Sequence, residues 1–296
     1  MKLFKNIAFI AGVALCFTAC KKYESYVVDY TYSTVYFASQ KPLRTIVAND
    51  DMSFRVGVMM GGVRSNTKDQ TVKYEIDPSL LTTVPGASSF TLLPTSYYTL
   101  SDNSTMIIPK GQVLGEVKVT LNKSFFTADQ ASVTNIYALP LRIVSSTTDS
   151  VLRGDANHEA KDYTILVVKY ISPYSGTYYH KGVETSGSTV NSYTNKDLNQ
   201  NATWALSTLS VNELQTPGSG SKSTPNLKLV LNGSNVSVVD LSKTAPNNVT
   251  GSGTYDLNSK SLFLNYNYDQ GTSVFSVKDT LILRQSPESE LRFEEW

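Results

Sequence analysis

Few residues in this 296-residue chain are placed to do chemistry. The first is Cys20, in Phe17-Thr18-Ala19-Cys20: small residues leading into a thiol that can serve as the nucleophile of lipid attachment. His158 and His180 are the only two histidines, so His-based acid–base or nucleophilic catalysis has little material. Asp155, Asn157 and Glu159 alternate around His158 like a cation loop. The turn Gly and the distant bidentate Glu that a calcium loop needs are not placed, and the stretch reads as a solvated loop. His180 follows Tyr178-Tyr179 on a strand and reads as a surface or rim residue.

Gly61-Gly62 is followed by no Gly-Lys-Ser/Thr and opens no helical pattern, so it reads as a turn between strands rather than a phosphate cradle. Paired carboxylates of the glycosidase kind are defined by their separation in space, and nothing in the chain isolates a pair. Asp50-Asp51 precedes a strand and Glu294-Glu295 ends the chain. No catalytic residue, metal ligand set or cofactor is therefore assigned. The remaining candidates are aromatic. Trp204, Tyr266 and Tyr268 could line a cavity or stack on a sugar ring, with a hydroxyl or indole N–H as the polar handle; core packing is the plain alternative.

The elements that would hold these residues are strands. TVYFAS, FRVGVMM, TVKYEID, STMIIP, GEVKVTLN, IYALPLRIVSS and KDYTILVVKYI follow one another from Tyr26 to about Ile171, separated by turn residues. In GEVKVTL, Val117, Val119 and Leu121 share one face against Glu116, Lys118 and Thr120. Pro140, inside YALPLRIV, lacks a ladder donor and marks an edge or bulged strand. This spacing predicts an immunoglobulin-like sandwich over 34–172.

After the joint Ser172-Pro173-Tyr174-Ser175 the strands lengthen and the turns tighten. Leu227, Leu229 and Leu231 share a face, and Asn232-Gly233 predicts a type I′ hairpin. Leu262, Leu264, Tyr266 and Tyr268 share a face, as do Phe275, Val277, Leu281 and Leu283. Successive hairpins predict an up-and-down barrel over 173–296, though a second sandwich satisfies the same periodicity.

The N-terminus predicts an address. Lys2 and Lys5 precede an apolar run too short to span as a mature helix, and FTAC then matches a bacterial lipobox apart from Phe17 in the usual Leu place. Residues 1–19 are read as a lipoprotein signal peptide and 20–33 as a lipid-anchored tether. Loss of Lys2 and Lys5 takes the cations from 26 to 24 against 25 anions, so the mature formal charge is −1. That near-neutral field argues against a nucleic-acid partner and leaves membrane attachment to the acyl chains, at about 0.8 kcal/mol per buried CH2.

Taken together, the lipobox, VYFAS, GGVRSN, YEIDPSLL, LLPTSYYTLS, IPKGQ, ALPLRIVSS and the KDYTILVVKY–GTYY junction resemble a Bacteroidota outer-membrane lipoprotein family of unknown function. The resemblance implies an immunoglobulin-like N-terminal domain and a lipocalin-like C-terminal barrel. It also implies a setting beside glycan uptake systems and display at the cell surface rather than on the periplasmic face; some members carry a lipid-binding label. It supplies no reaction. The expectation is a non-enzymatic, lipid-anchored binding protein of the outer membrane, accessory to polysaccharide uptake. An apolar small molecule in the barrel, or a structural place in an outer-membrane transport complex, are the competing expectations.

Overall fold

The computed structural model describes residues 31–49, 51–241 and 247–296. Cys20 and the signal segment 1–19 lie outside the described residues. The fold is all-β, a sandwich followed by a closed barrel.

The sandwich is built from β1 (Thr34–Phe37), β2 (Pro42–Val47), β3 (Ser53–Gly61), β4 (Gln70–Ile76), β5 (Thr91–Leu92) and β6 (Tyr98–Leu100). β7 (Thr105–Ile108), β8 (Leu114–Leu121), β9 (Tyr137–Ser146), β10 (Ser150–Val151) and β11 (Tyr163–Ile171) complete its continuous part. One sheet runs β10-β1-β3-β8-β6; the other runs β2-β11-β9-β4-β7, with β5 beside β9. Alternate residues of both sheets meet in an apolar core that includes Val58, Val119, Val72, Leu141 and Tyr170. β11 is buried on both faces because the short helix Leu80–Thr83 and its neighbours cover the outer side of its sheet, where Ile165 and Val167 pack against Leu80 and Leu81.

Two expectations change here. β9 is central, between β11 and β4, so Pro140 is not on an edge strand. Its missing donor costs no ladder bond because the β4 pairing stops at Leu141; Pro140 only accepts, from the Asp77 N–H at 3.1 Å. The bulge does occur in β9, between Ile143 and Ser145 opposite Tyr74 and Lys73. Unpredicted β2 begins at a proline and alternates poorly, yet it pairs in parallel with β11 from Leu43 to Val47.

The barrel strands are β12 (Gly176–Ser186), β13 (Thr189–Ser192), β14 (Ala202–Ser210), β15 (Glu213–Gln215), β16 (Leu227–Asn232), β17 (Asn235–Asp240), β18 (Thr250–Asp256), β19 (Ser261–Gln270) and β20 (Ser273–Gln285). Each of β14 to β19 pairs antiparallel with the next, and β20 returns to β12 from Thr177 to Thr185, closing eight strands. On its other edge β12 pairs first with β14 and then, from Val183 onward, with the hairpin strand β13. In the β16–β17 turn the loop residues are Gly233 and Ser234, one place later than expected. Only Gly233 takes a positive φ, 60°, whereas a type I′ turn asks for two such residues.

The chain then returns to the sandwich. β21 (Glu294–Glu295) pairs with Leu43 and Pro42 of β2. Trp296 donates its indole N–H to the Ile165 carbonyl at 2.7 Å and meets the Phe90 ring edge-on at 4.7 Å. At the joint, Ser172 donates its N–H to Thr208 Oγ1 (2.8 Å) and its hydroxyl to the Val211 carbonyl (2.7 Å).

Candidate functional site

Inward positions of the barrel are set by strand parity, and parity brings the aromatic candidates to the interior. Trp204 on β14 is 9% exposed, Tyr266 on β19 3% and Tyr268 0%. Tyr266 and Tyr268 sit near each other, ring centroids 6.3 Å apart, and Tyr268 stacks on Phe275 at 5.0 Å. Trp204 lies flat on the His180 ring, 3.6 Å between centroids and 25° between planes.

His180 corrects the sequence reading. It is not a surface or rim residue but is buried, two positions from inward-facing Tyr178 on β12. The position is tolerable because Asp279 of the facing strand β20 meets His180 Nε2 at 2.9 Å. The fully buried Asp279 carboxylate also accepts from the hydroxyls of Tyr266 (2.7 Å) and Tyr193 (2.5 Å). Burial first, and then the Asp279 charge, hold both phenols well above their ordinary pKa, so they remain donors.

A second acid, Glu184, lies two residues on from Gly182, whose register partner is Asp279. Burial raises the Glu184 pKa, but hydrogen bonds from Ser221 and Asn191 and the charge of Lys222 outweigh it, leaving it below the ordinary value. Gly182 lets these groups close up: a Cβ there would stand 2.4 Å from Asp279 Oδ1 and 2.8 Å from the Tyr193 hydroxyl. Asp279 and Glu184 were missed although the signal was present. Asp279 shares parity with Val277 and Leu281, and Glu184 with Tyr178 and His180. A polar residue on an apolar face is easily passed over when alternation is scored by hydrophobicity alone.

The outer surface of β18, β19 and β20 has the opposite character. Register places Thr254, Phe263 and Thr280 in one row, Ser252, Asn265 and Lys278 in the next, and Thr250, Asn267 and Ser276 in a third. Phe263 is 43% exposed. Lys278 is the one charged residue among these nine outward positions, and none is a carboxylate. The second and third rows border a shallow groove of about 370 Å3. Hydroxyls and amides beside an exposed ring form a surface able to exchange water for the hydroxyls of a ligand while stacking on its apolar face.

Elsewhere, a groove of about 350 Å3 lies at the domain joint, with Lys169, Thr45, Ser207, Glu290 and Arg292 in its wall. His158 stays in its exposed loop, against Asp155 at 2.9 Å, and Gly62 turns the chain after β3 with φ 90°. Among the described residues no group of three or more His, Cys, Asp or Glu could hold a metal ion, and no helix is long and apolar enough to cross a membrane.

A family model described as an N-terminal domain matches residues 30–150. No curated protein matches the chain. Among solved structures, a protein of unknown function from Bacteroides ovatus is 23% identical, with a TM-score of 0.75 over 90% of this chain and 99% of its own. That likeness shows that the whole arrangement of sandwich and barrel recurs. A second protein of unknown function from Bacteroides ovatus is 12% identical, with a TM-score of 0.47 over 90% of this chain and all of its own. An auxiliary nutrient binding protein from Bacteroides thetaiotaomicron is 18% identical, with a TM-score of 0.42 over 93% of this chain and all of its own.

Proposed function

We propose that the chain is a non-enzymatic, lipid-anchored binding protein of the outer membrane that captures carbohydrate on the outer face of its barrel, beside a glycan uptake system. The observation that carries this reading is the field of Ser, Thr and Asn around exposed Phe263 on β18, β19 and β20, bounded by Asp256 at one end and Asp269 at the other. Sugars present many hydroxyls and one weakly apolar ring face, and this surface offers partners for both. An open groove also suits a long chain that must be held and passed on, whereas a deep pocket would select an end. Cys20 supplies the tether, and the sandwich spaces the barrel from the membrane. An apolar ligand inside the barrel is less favoured: Leu227, Leu229, Leu262, Leu264 and Tyr268 fill that space, and the rest carries buried acids.

Isothermal titration of residues 21–296 against a broad panel of neutral oligosaccharides tests the reading. Binding by some member, weakened about tenfold (~1.4 kcal/mol) in Phe263→Ala, is expected. Silence across the panel would sink it. Loss of membrane attachment in Cys20→Ala, and protease shaving of intact cells, test the anchor and the surface location.

A further inference from the structure

The segment between β15 and β16 does not run over the barrel but into it. Thr216 anchors its base, donating its N–H to the Leu227 carbonyl and accepting the Leu227 N–H, each at 2.9 Å. Ser219 and Lys222 then bridge each other and close a tight turn with Gly220 at its tip. Gly218, Ser219 and Gly220 are buried, although the segment is made of small polar residues. Gly220 donates its N–H to the Tyr266 hydroxyl at 2.6 Å. Ser221 grips Glu184 like a fork, N–H to Oε2 at 3.0 Å and hydroxyl to Oε1 at 2.5 Å. Asn191 adds a donor to the same carboxylate at 3.0 Å, and Lys222 lies 3.9 Å from it.

That set of partners is the chemistry of a sugar site. A carboxylate takes two neighbouring donors, an amide flanks it, and the stacked Tyr268–Phe275 pair stands beside it. The turn supplies the donors that two adjacent sugar hydroxyls would supply. It fills the place imperfectly: the hydroxyls of Ser219 and Tyr268 are fully buried and make no well-aligned hydrogen bond, although Tyr268 lies close to Ser219 and Glu184. An unsatisfied buried hydroxyl costs on the order of 1–3 kcal/mol, so an occupant that satisfied both would compete with the turn. Gly220 has no slack. A Cβ there would stand 2.4 Å from Glu184 Oε2, at a φ of +52°.

We propose that Ser219–Lys222 is a displaceable plug, occupying a saccharide-binding site in the barrel mouth formed by Glu184, Asn191, Tyr266 and Tyr268. This second site lies inside the barrel and does not depend on the outer face. It also gives the buried aromatic residues a ligand without asking for a hollow barrel. While the plug is seated, apparent affinity is reduced by the fraction of molecules that are closed.

The experiment combines Gly220→Val, which cannot seat the tip, with Phe263→Ala, which silences the outer face. Folding is checked by circular dichroism, and plug position by hydrogen exchange at the amides of residues 219–221. Free glucose, galactose, mannose and N-acetylglucosamine are the probes. The double variant should lose amide protection and bind at least one probe about tenfold or more tightly than Phe263→Ala alone. An expelled plug with no gain for any probe overturns the proposal. So does protection of the Ser219 amide that persists both in Gly220→Val and in a variant lacking Gly220 and Ser221. Should these variants fail to fold, exchange at the same amides in Phe263→Ala decides. It should accelerate under saturating probe; unchanged exchange with all four sugars overturns the proposal.

Discussion

The two domains fill their interiors differently. The sandwich core is almost wholly aliphatic and aromatic; the one buried acid among its described residues, Asp162, is met by Arg142 at 3.3 Å and Arg153 at 3.1 Å, arginines that reach partly into solvent. The barrel buries Asp279, Glu184 and His180 among tyrosines and leucines. A packed apolar core gives stability with little dependence on conditions. A buried polar cluster gives less net stability, but it fixes one arrangement and fails sharply when a member is lost. The proposed function uses this contrast, with the sandwich as support and the barrel as the half that recognises a ligand.

Removing the Asp279 carboxylate should break the contrast most strongly. Asp279→Ala strands the donors of Tyr193 and Tyr266 and the His180 contact, and should lower stability by about 4 kcal/mol in urea unfolding. A cost near that of a surface substitution would mean the cluster does not hold the barrel. Leu141→Ala, its counterpart in the sandwich, should cost about 3 kcal/mol through the cavity it leaves, with the same loss at neutral and mildly acidic pH.

Glu184 sharpens the contrast through pH. Its folded pKa is lowered from the ordinary 4.5, so its contribution is complete above that value and is lost as pH falls through the lower folded value. Glu184→Gln should therefore flatten the acid limb of the stability profile while leaving the neutral region nearly level. A limb unchanged by the substitution would assign the acid sensitivity elsewhere.

Much of the fold could be read from residue patterns, while the buried polar cluster could not, and the failures have physical causes. Alternation located most of the long strands, and parity turned Tyr266 and Tyr268 inward. Parity does not reveal which distant strand lies opposite, so the meeting of His180 with Asp279, 99 residues away, was invisible. A histidine without a known partner reads as solvent-facing. β2 was missed because its ladder is completed by β11, far along the chain. Glu294-Glu295 carries no alternation to mark a strand, yet it pairs with β2 while Trp296 packs edge-on against Phe90. The plug gave no hydrophobic signal, because its burial rests on Gly220 and on hydrogen bonds to Glu184 and Tyr266.

The central claim, that carbohydrate is held on the outer face of the barrel, is tested most directly by amide chemical-shift mapping on residues 21–296 with an oligosaccharide that binds. The account predicts that the largest shifts fall on Ser252, Phe263, Asn265, Asn267, Ser276 and Lys278 and vanish in Phe263→Ala. Shifts confined to the sandwich, or to the groove of Lys169 and Arg292 at the domain joint, would contradict it.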